Sequence, residues 1–105
     1  MTGNLRKHAI YALAICLASI TSLAQSSGDA IYKAKCASCH GATGTPSPGM
    51  AKMLGIKPAS DPDIKKLTVE QIEAAVKNGK GKMKPVSGLS DAQVRAVAEY
   101  FKSLK

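Results

Sequence analysis

Residues 36–40 read Cys-Ala-Ser-Cys-His, and the rest of the chain can be interpreted outward from this stretch. Residues 29–35, just before it, have helical character, with Ile31 and Ala34 expected to face inward. Residues 41–62, just after it, are rich in Gly, Pro, Ser and Thr, which is typical of a loop. Two thiols and an imidazole are therefore expected where a short helix gives way to a long irregular segment.

This motif is typical of a c-type haem attachment site. The thiols of Cys36 and Cys39 can add to the two vinyl groups of one haem, which holds His40 under the iron as the proximal ligand. The second nitrogen of a ligating imidazole normally donates to an acceptor, which we expect among the backbone carbonyls of residues 46–48. The motif therefore predicts one covalently bound haem c, with its iron.

Three other interpretations of the two cysteines are weaker. A thioredoxin-like dithiol needs a strand before the motif, and the sequence offers none. A zinc site needs four ligands, whereas two cysteines and one adjacent histidine supply three at awkward spacing. A structural disulfide would leave unexplained how so small a core is stabilised.

Downstream, the pattern predicts further short helices and no sheet. A short helix is expected over residues 50–54, within the loop. Thr68 with Gln71, and Ser90 with Gln93, form capping boxes that predict two helix starts. No segment alternates apolar and polar residues in the manner of a strand, so the expected fold class is all-α.

The last helix has a regular apolar stripe. Val94, Val97, Ala98, Phe101 and Leu104 recur at spacings of three and four residues and should face the core. The preceding predicted helix runs from its cap to Asn78 and ends at Gly79. These helices account for most of the second half of the chain.

Residues 1–24 have the features of a secretory signal peptide. Arg6 and Lys7 precede an apolar stretch over residues 9–17, and small residues at positions 22 and 24 favour cleavage after Ala24. The expected domain is then residues 25–105, exported to the periplasm. The alternative is an uncleaved anchor, although the apolar segment is short for a bilayer span.

Length and charge limit the function further. The 105 residues suffice for one domain, and they carry 15 basic against 7 acidic side chains. Without Arg6 and Lys7 the balance is 13 against 7, a net charge of +6. An exported chain without a recognition motif is not expected to bind nucleic acid. Only 4% of residues are aromatic, so a haem would supply much of the apolar core.

Over residues 25–105 the chain resembles the small single-haem class I c-type cytochromes of bacteria. The resemblance rests on IYKAKCASCHG near the start, GKGKMKPV, and LSDAQVRAVAEYFKSL at the end. It implies three to five short helices around one covalently attached haem, with the first and last helices crossing. The Gly28–Tyr32 pair is similar to the glycine and aromatic residue of that first helix. Tyr100, with Phe101, is similar to the aromatic counterpart in the last helix.

The distal iron ligand is expected to be a methionine. After cleavage no second histidine remains, so the candidates are Met50, Met53 and Met83, together with the lysines. Met50 and Met53 are better suited to packing on a short helix. Met83 lies between two predicted helices and is followed by Pro85, so it resembles the axial methionine loop of class I cytochromes. His40 and Met83 are thus the predicted ligands of the metal.

With protein side chains on both sides of the iron, the expected function is one-electron transfer and not catalysis. Lysines cluster around Met83, so the expected partners are redox proteins with acidic docking faces. We expect a monomer that meets the membrane only through its partners or an uncleaved anchor. The alternatives are a haem enzyme or gas sensor with an open sixth site, or a haem subunit of a larger oxidase or dehydrogenase complex.

Overall fold

The computed structural model describes residues 27–105, which form six helical segments and no sheet. In chain order these are α1 Gly28–Lys35, α2 Ala37–His40, α3 Pro48–Leu54, α4 Pro62–Lys65, α5 Val69–Asn78 and α6 Asp91–Ser103. The predicted signal peptide over residues 1–24, with its cleavage after Ala24, lies outside the described residues. The all-α expectation is confirmed, and four of the segments are longer than one turn.

The first and last of these helices cross in close contact. Gly28 lies against Ala96 so closely that a Cβ at position 28 would overlap the carbonyl oxygen of Ala96. One turn further along α1, the Tyr32 ring lies 5.3 Å from the Tyr100 ring. The expected crossing of a glycine–aromatic pair with aromatic residues of the last helix is therefore confirmed. A glycine is required because only a residue without a Cβ permits this approach.

Helices α5 and α6 begin where their capping boxes predict. The Thr68 side chain accepts from the Gln71 backbone, and the Gln71 side chain accepts from the Thr68 backbone. Ser90 and Gln93 make the same two reciprocal bonds at the start of α6. Each box satisfies donors that a helix start leaves without partners, which fixes both boundaries.

Between the motif and α5 the structure differs from the expected loop. Helix α3 begins at Pro48, two residues before the expected start, because the Ser47 hydroxyl accepts from the Met50 backbone. Helix α4 was not expected, and it begins where the Asp61 carboxylate accepts from the Asp63 backbone. Both starts combine a capping side chain with a proline in the first turn, which is a signal for a helix start. The Gly- and Pro-rich composition of this segment favoured a loop instead.

The protein core is small. Ile31, Tyr32, Val76, Val94 and Val97 form one buried cluster from α1, α5 and α6. Ala34, which was expected to face inward, is exposed, because the buried face of α1 follows Gly28, Ile31 and Tyr32. Among residues 27–105, no helix has the length and apolar character needed to cross a bilayer.

Candidate haem site

A cavity of about 390 Å³ opens beside this small core. Its wall is predominantly apolar, with charged side chains at only a few positions. The lining residues are Tyr32, Cys36, His40, Leu54, Gly55, Ile56, Lys57, Asp63, Ile64, Leu67, Ile72, Ala75, Val76, Lys80, Met83, Val97 and Phe101. Every helical segment thus contributes to one concave surface, which is the usual form of a cofactor site.

Helix α2 and the Cys36 residue that caps its start bring two of the motif's side chains to this cavity. The Cys36 backbone continues from α1 by donating to the Tyr32 carbonyl at 2.8 Å, and the His40 backbone donates to the Cys36 carbonyl at 3.0 Å. Residues four apart share a helix face, so Cys36 and His40 both line the cavity. Cys39 is half-buried and lies outside the cavity lining.

The surroundings of His40 suit ligation of a metal. Burial lowers the pKa of His40, which favours the neutral imidazole that a metal requires. Burial raises the pKa of the Cys36 thiol. Within residues 27–105, Cys36 and Cys39 are free thiols and form no disulfide with each other. The Phe101 ring meets the His40 ring edge-on, with the ring centroids 5.7 Å apart.

Met83 is held at the cavity by a tight turn. The Met83 backbone donates to the Lys80 carbonyl at 2.9 Å, and the Lys80 backbone donates to the Met83 carbonyl at 3.0 Å. Gly81, with a φ of 58°, is the first of the two residues between them, as a turn of this kind prefers. Gly79 also has a positive φ of 77° and lets the chain leave α5. Residues 80–83 are called the Met83 hairpin below.

The hairpin is anchored from both sides. After Pro85, the Val86 backbone donates to the Val76 carbonyl of α5 at 2.8 Å. The Lys82 ammonium donates to the Met53 carbonyl, at the end of α3, at 3.0 Å. The backbone at Met83 is therefore fixed with respect to α3 and α5, two helices that also line the cavity.

The other two methionines are placed differently. Met53 has 64% of its side chain exposed, and Met50 is half-buried, but neither lines the cavity. Both lie on α3, as expected from the sequence. Of the three methionines considered as distal ligands, Met83 is the one at the cavity.

The donor set fits a haem better than it fits the alternatives. Thiol, imidazole and thioether groups surround an apolar space, and these are the groups that attach and ligate haem c. Within residues 27–105, no group of three or more His, Cys, Asp or Glu side chains is arranged to hold a metal ion directly. The described part of the chain therefore offers no support for the zinc interpretation.

The class I c-type cytochromes are defined by two features that this protein has. Their fold is all-α, with the first and last helices crossing beside an apolar cavity, and a Cys-x-x-Cys-His segment lies at that cavity. Residues 24–101 match the family described as "Cytochrome C oxidase, cbb3-type, subunit III", and the chain belongs to this family. The protein therefore binds haem c covalently, and the haem iron serves electron transfer.

A solved structure gives independent support for the fold. The protein named "KustC0563 c-type cytochrome" superposes with a TM-score of 0.68 at 25% sequence identity, over 76% of this chain and 99% of that one. No curated protein is significantly similar to the chain. The expected fold, family and cofactor are thereby confirmed.

Sequence reasoning missed several residues of the cavity wall. Lys57 and Asp63 lie on it as an ion pair, although nothing in their spacing marks them as neighbours of a cofactor. Phe101 was placed on the core stripe of α6, but it also contacts His40. The unrecognised helix α4 carries Asp63, so its Asp-Pro-Asp start was the one available signal for this part of the wall.

Proposed function

We propose that this protein is a one-electron carrier of the periplasm, with the haem bound through Cys36 and Cys39 and the iron held between His40 and Met83. The observation that carries the proposal is that His40 and Met83 line the same apolar cavity, whereas Met50 and Met53 do not. The proposal includes cleavage after Ala24 and a monomeric mature protein.

The two ligands have the properties that reversible electron transfer requires. A haem iron held by His and Met cycles between Fe(III) and Fe(II), and the thioether favours the reduced form. Phe101 packs edge-on against His40, and hydrogen bonds hold the backbone of Met83 in the hairpin. Both side chains can therefore keep their positions in the two oxidation states, which keeps reorganisation small.

This arrangement argues against catalysis at the iron. An enzyme or gas sensor needs an open coordination position, whereas Met83 would occupy the distal side. Carbon monoxide separates the two functions, because it binds readily to reduced haem with an open sixth position. An electron carrier should bind it poorly at neutral pH, and ready binding would favour the alternative.

Redox partners are expected to present acidic surfaces. Lys80, Lys82 and Lys84 are exposed beside Met83, and none of them takes part in an ion pair with an acidic side chain in the described part of the chain. Uncompensated charge around the ligand loop can steer association with an acidic face. Electron transfer to the true partner should then slow steeply with added salt, and a flat dependence would contradict this.

Absorption spectroscopy of the holoprotein tests the ligand assignment. The oxidised protein should have the weak long-wavelength band of a methionine–Fe(III) bond. Met83→Ala should abolish that band, whereas Met53→Ala, the matched control on α3, should retain it. Survival of the band in Met83→Ala would show that Met83 is not the ligand.

The family description supports one further candidate function, that of a haem subunit in a larger oxidase complex. A permanent subunit would co-purify with its complex, whereas a carrier would elute as a monomer from the periplasmic fraction. Gel filtration of a tagged protein at its native expression level separates these outcomes.

A further inference from the structure

One ion pair lies directly on the wall of the haem cavity. The Lys57 ammonium is 2.8 Å from Oδ2 of Asp63, and both side chains line the cavity while remaining about half exposed or more. The hydrogen bond between them raises the pKa of Lys57 and lowers that of Asp63, so both are charged at neutral pH. The pair therefore marks a point where an otherwise apolar wall reaches solvent.

The backbone holds this pair in place from both sides. Asp63 is fixed at the start of α4, where its backbone donates to the Asp61 carboxylate at 2.9 Å. Lys57 follows residues 54–56, which themselves line the cavity. The contact joins the segment after α3 to the first turn of α4 and so forms part of the cavity rim.

A haem carries two carboxylates, and these need a polar setting. An ionised carboxylate is too costly to leave unpaired in an apolar space, so it must reach solvent or a cation. A lysine ammonium has three donors, and the bond to Asp63 uses one of them. Lys57 can therefore donate to a second carboxylate without releasing the first.

We propose that Lys57 pairs with a carboxylate of the haem at this rim, and that Asp63 is the positioning residue that holds Lys57 there. The inference rests on the proposed function only in that a haem occupies the cavity, and it does not depend on which methionine is the distal ligand. A positive charge at this point stabilises the reduced iron relative to the oxidised iron, because reduction adds a negative charge. Lys57 should therefore raise the reduction potential.

Potentiometric titration of purified holoprotein variants tests the role of Lys57. Lys57→Gln should lower the potential, and Lys57→Arg should restore it. Lys52→Gln removes the same charge from an exposed position on α3 that does not line the cavity, so it serves as the matched control. Its shift should be smaller and should fall more steeply with salt than the Lys57 shift, because fully exposed charges are screened more than a charge paired at the cavity rim.

A double-mutant cycle tests the role of Asp63. In an Asp63→Asn background, Lys57→Gln should lower the potential by less than it does in the parent, because the ammonium is no longer held at the rim. Equal shifts in both backgrounds would show that Asp63 does not position Lys57.

Lys80 provides the competing assignment, since it is the other lysine of the cavity wall. The proposal is overturned if Lys80→Gln lowers the reduction potential more than Lys57→Gln does. It is also overturned if Lys57→Gln and Lys52→Gln shift the potential equally at all salt concentrations. In either case an intact methionine–iron band would leave the proposed carrier function standing. The carrier function would instead be contradicted if the purified parent protein contained no covalently bound haem.

Discussion

The Tyr32 hydroxyl donates a 2.6 Å hydrogen bond to the carbonyl of Gly41, the residue that directly follows His40. Tyr32 is only 1% exposed, and its burial raises the pKa of the phenol to about 12, so the hydroxyl keeps its proton at neutral pH. A side chain of α1 thereby holds the C-terminal end of α2. The crossing of α1 and α6 is thus linked to the position of the His40 backbone.

Tyr32→Phe should destabilise the holoprotein by about 0.5–1.5 kcal/mol, because the half-buried carbonyl of Gly41 loses its donor while the ring is retained. Chemical denaturation followed by circular dichroism measures this. Tyr100→Phe keeps the bond between Tyr32 and Gly41 and should cost less. Equal costs for the two variants would show that the hydrogen bond is not the source of the effect.

The Met83 hairpin gives a second pair of variants. A Cβ on Gly79 would lie 2.6 Å from the Met83 carbonyl oxygen, and the φ of 77° with a ψ of 169° is a conformation almost confined to glycine. A Cβ on Gly81 would meet nothing within 4 Å, and only its φ of 58° disfavours alanine.

Gly79→Ala should therefore displace Met83 and weaken the absorption band of the proposed methionine–iron bond. It should also lower the free energy of unfolding by more than the roughly 1–2 kcal/mol expected for Gly81→Ala. Absorption spectra and unfolding curves of both holoproteins measure these effects. The hairpin would not be what positions Met83 if Gly79→Ala retained the band in full.

Substitution by alanine should change the free energy of unfolding in opposite directions at two other glycines. Gly28→Ala forces α1 away from the Ala96 carbonyl of α6 and should lower the free energy of unfolding substantially. Gly49 lies within α3, where an added Cβ meets nothing within 4 Å. Gly49→Ala should stabilise the protein by about 0.5–1 kcal/mol through helix propensity. Thermal unfolding of both variants measures these two changes. If Gly28→Ala did not lower the stability, the contact between α1 and α6 at Gly28 would not be tightly packed.

Arg95 connects α6 to α5 through an exposed ion-pair network. Its guanidinium contacts Glu70 at 2.9 Å, Glu73 at 3.0 Å and, one turn along α6, Glu99 at 2.9 Å. The hydrogen bond from Arg95 lowers the pKa of Glu70 below its ordinary value of 4.5. The stabilisation from that pair is therefore present above pH 4.5 and is lost as the pH falls through the lowered pKa.

Arg95→Gln should accordingly be less stable than the parent at neutral pH and low salt, and the difference should shrink both in acid and at high salt. Urea denaturation across pH and salt measures this difference. Lys66→Gln removes an exposed charge outside this network and should show little dependence on either variable. If the loss of stability in Arg95→Gln persisted unchanged in acid, it would come from lost packing of the arginine side chain and not from the ion pairs.

Local chemistry made much of the structure predictable. The capping boxes at Thr68 and Ser90 fix two helix starts because their bonds join residues three apart. The attachment motif is equally local, since four- and three-residue spacings place its groups on one turn of helix. The start of α4 at Asp61 is also a local signal, and it was overlooked because the surrounding composition is typical of loops.

By itself, the sequence determined the helical class, the haem attachment motif and the family, because each depends on side chains a few residues apart. Tertiary structure alone decided that Phe101 meets His40 and that Lys57 and Asp63 share the rim of the cavity. It also placed Met83, the methionine that the sequence had favoured, at the cavity. These relationships join segments distant in the chain, and their geometry follows from how α1, α5 and α6 pack. That packing leaves an apolar space, and the residues bordering it are selected by position in the fold and not by any pattern along the chain.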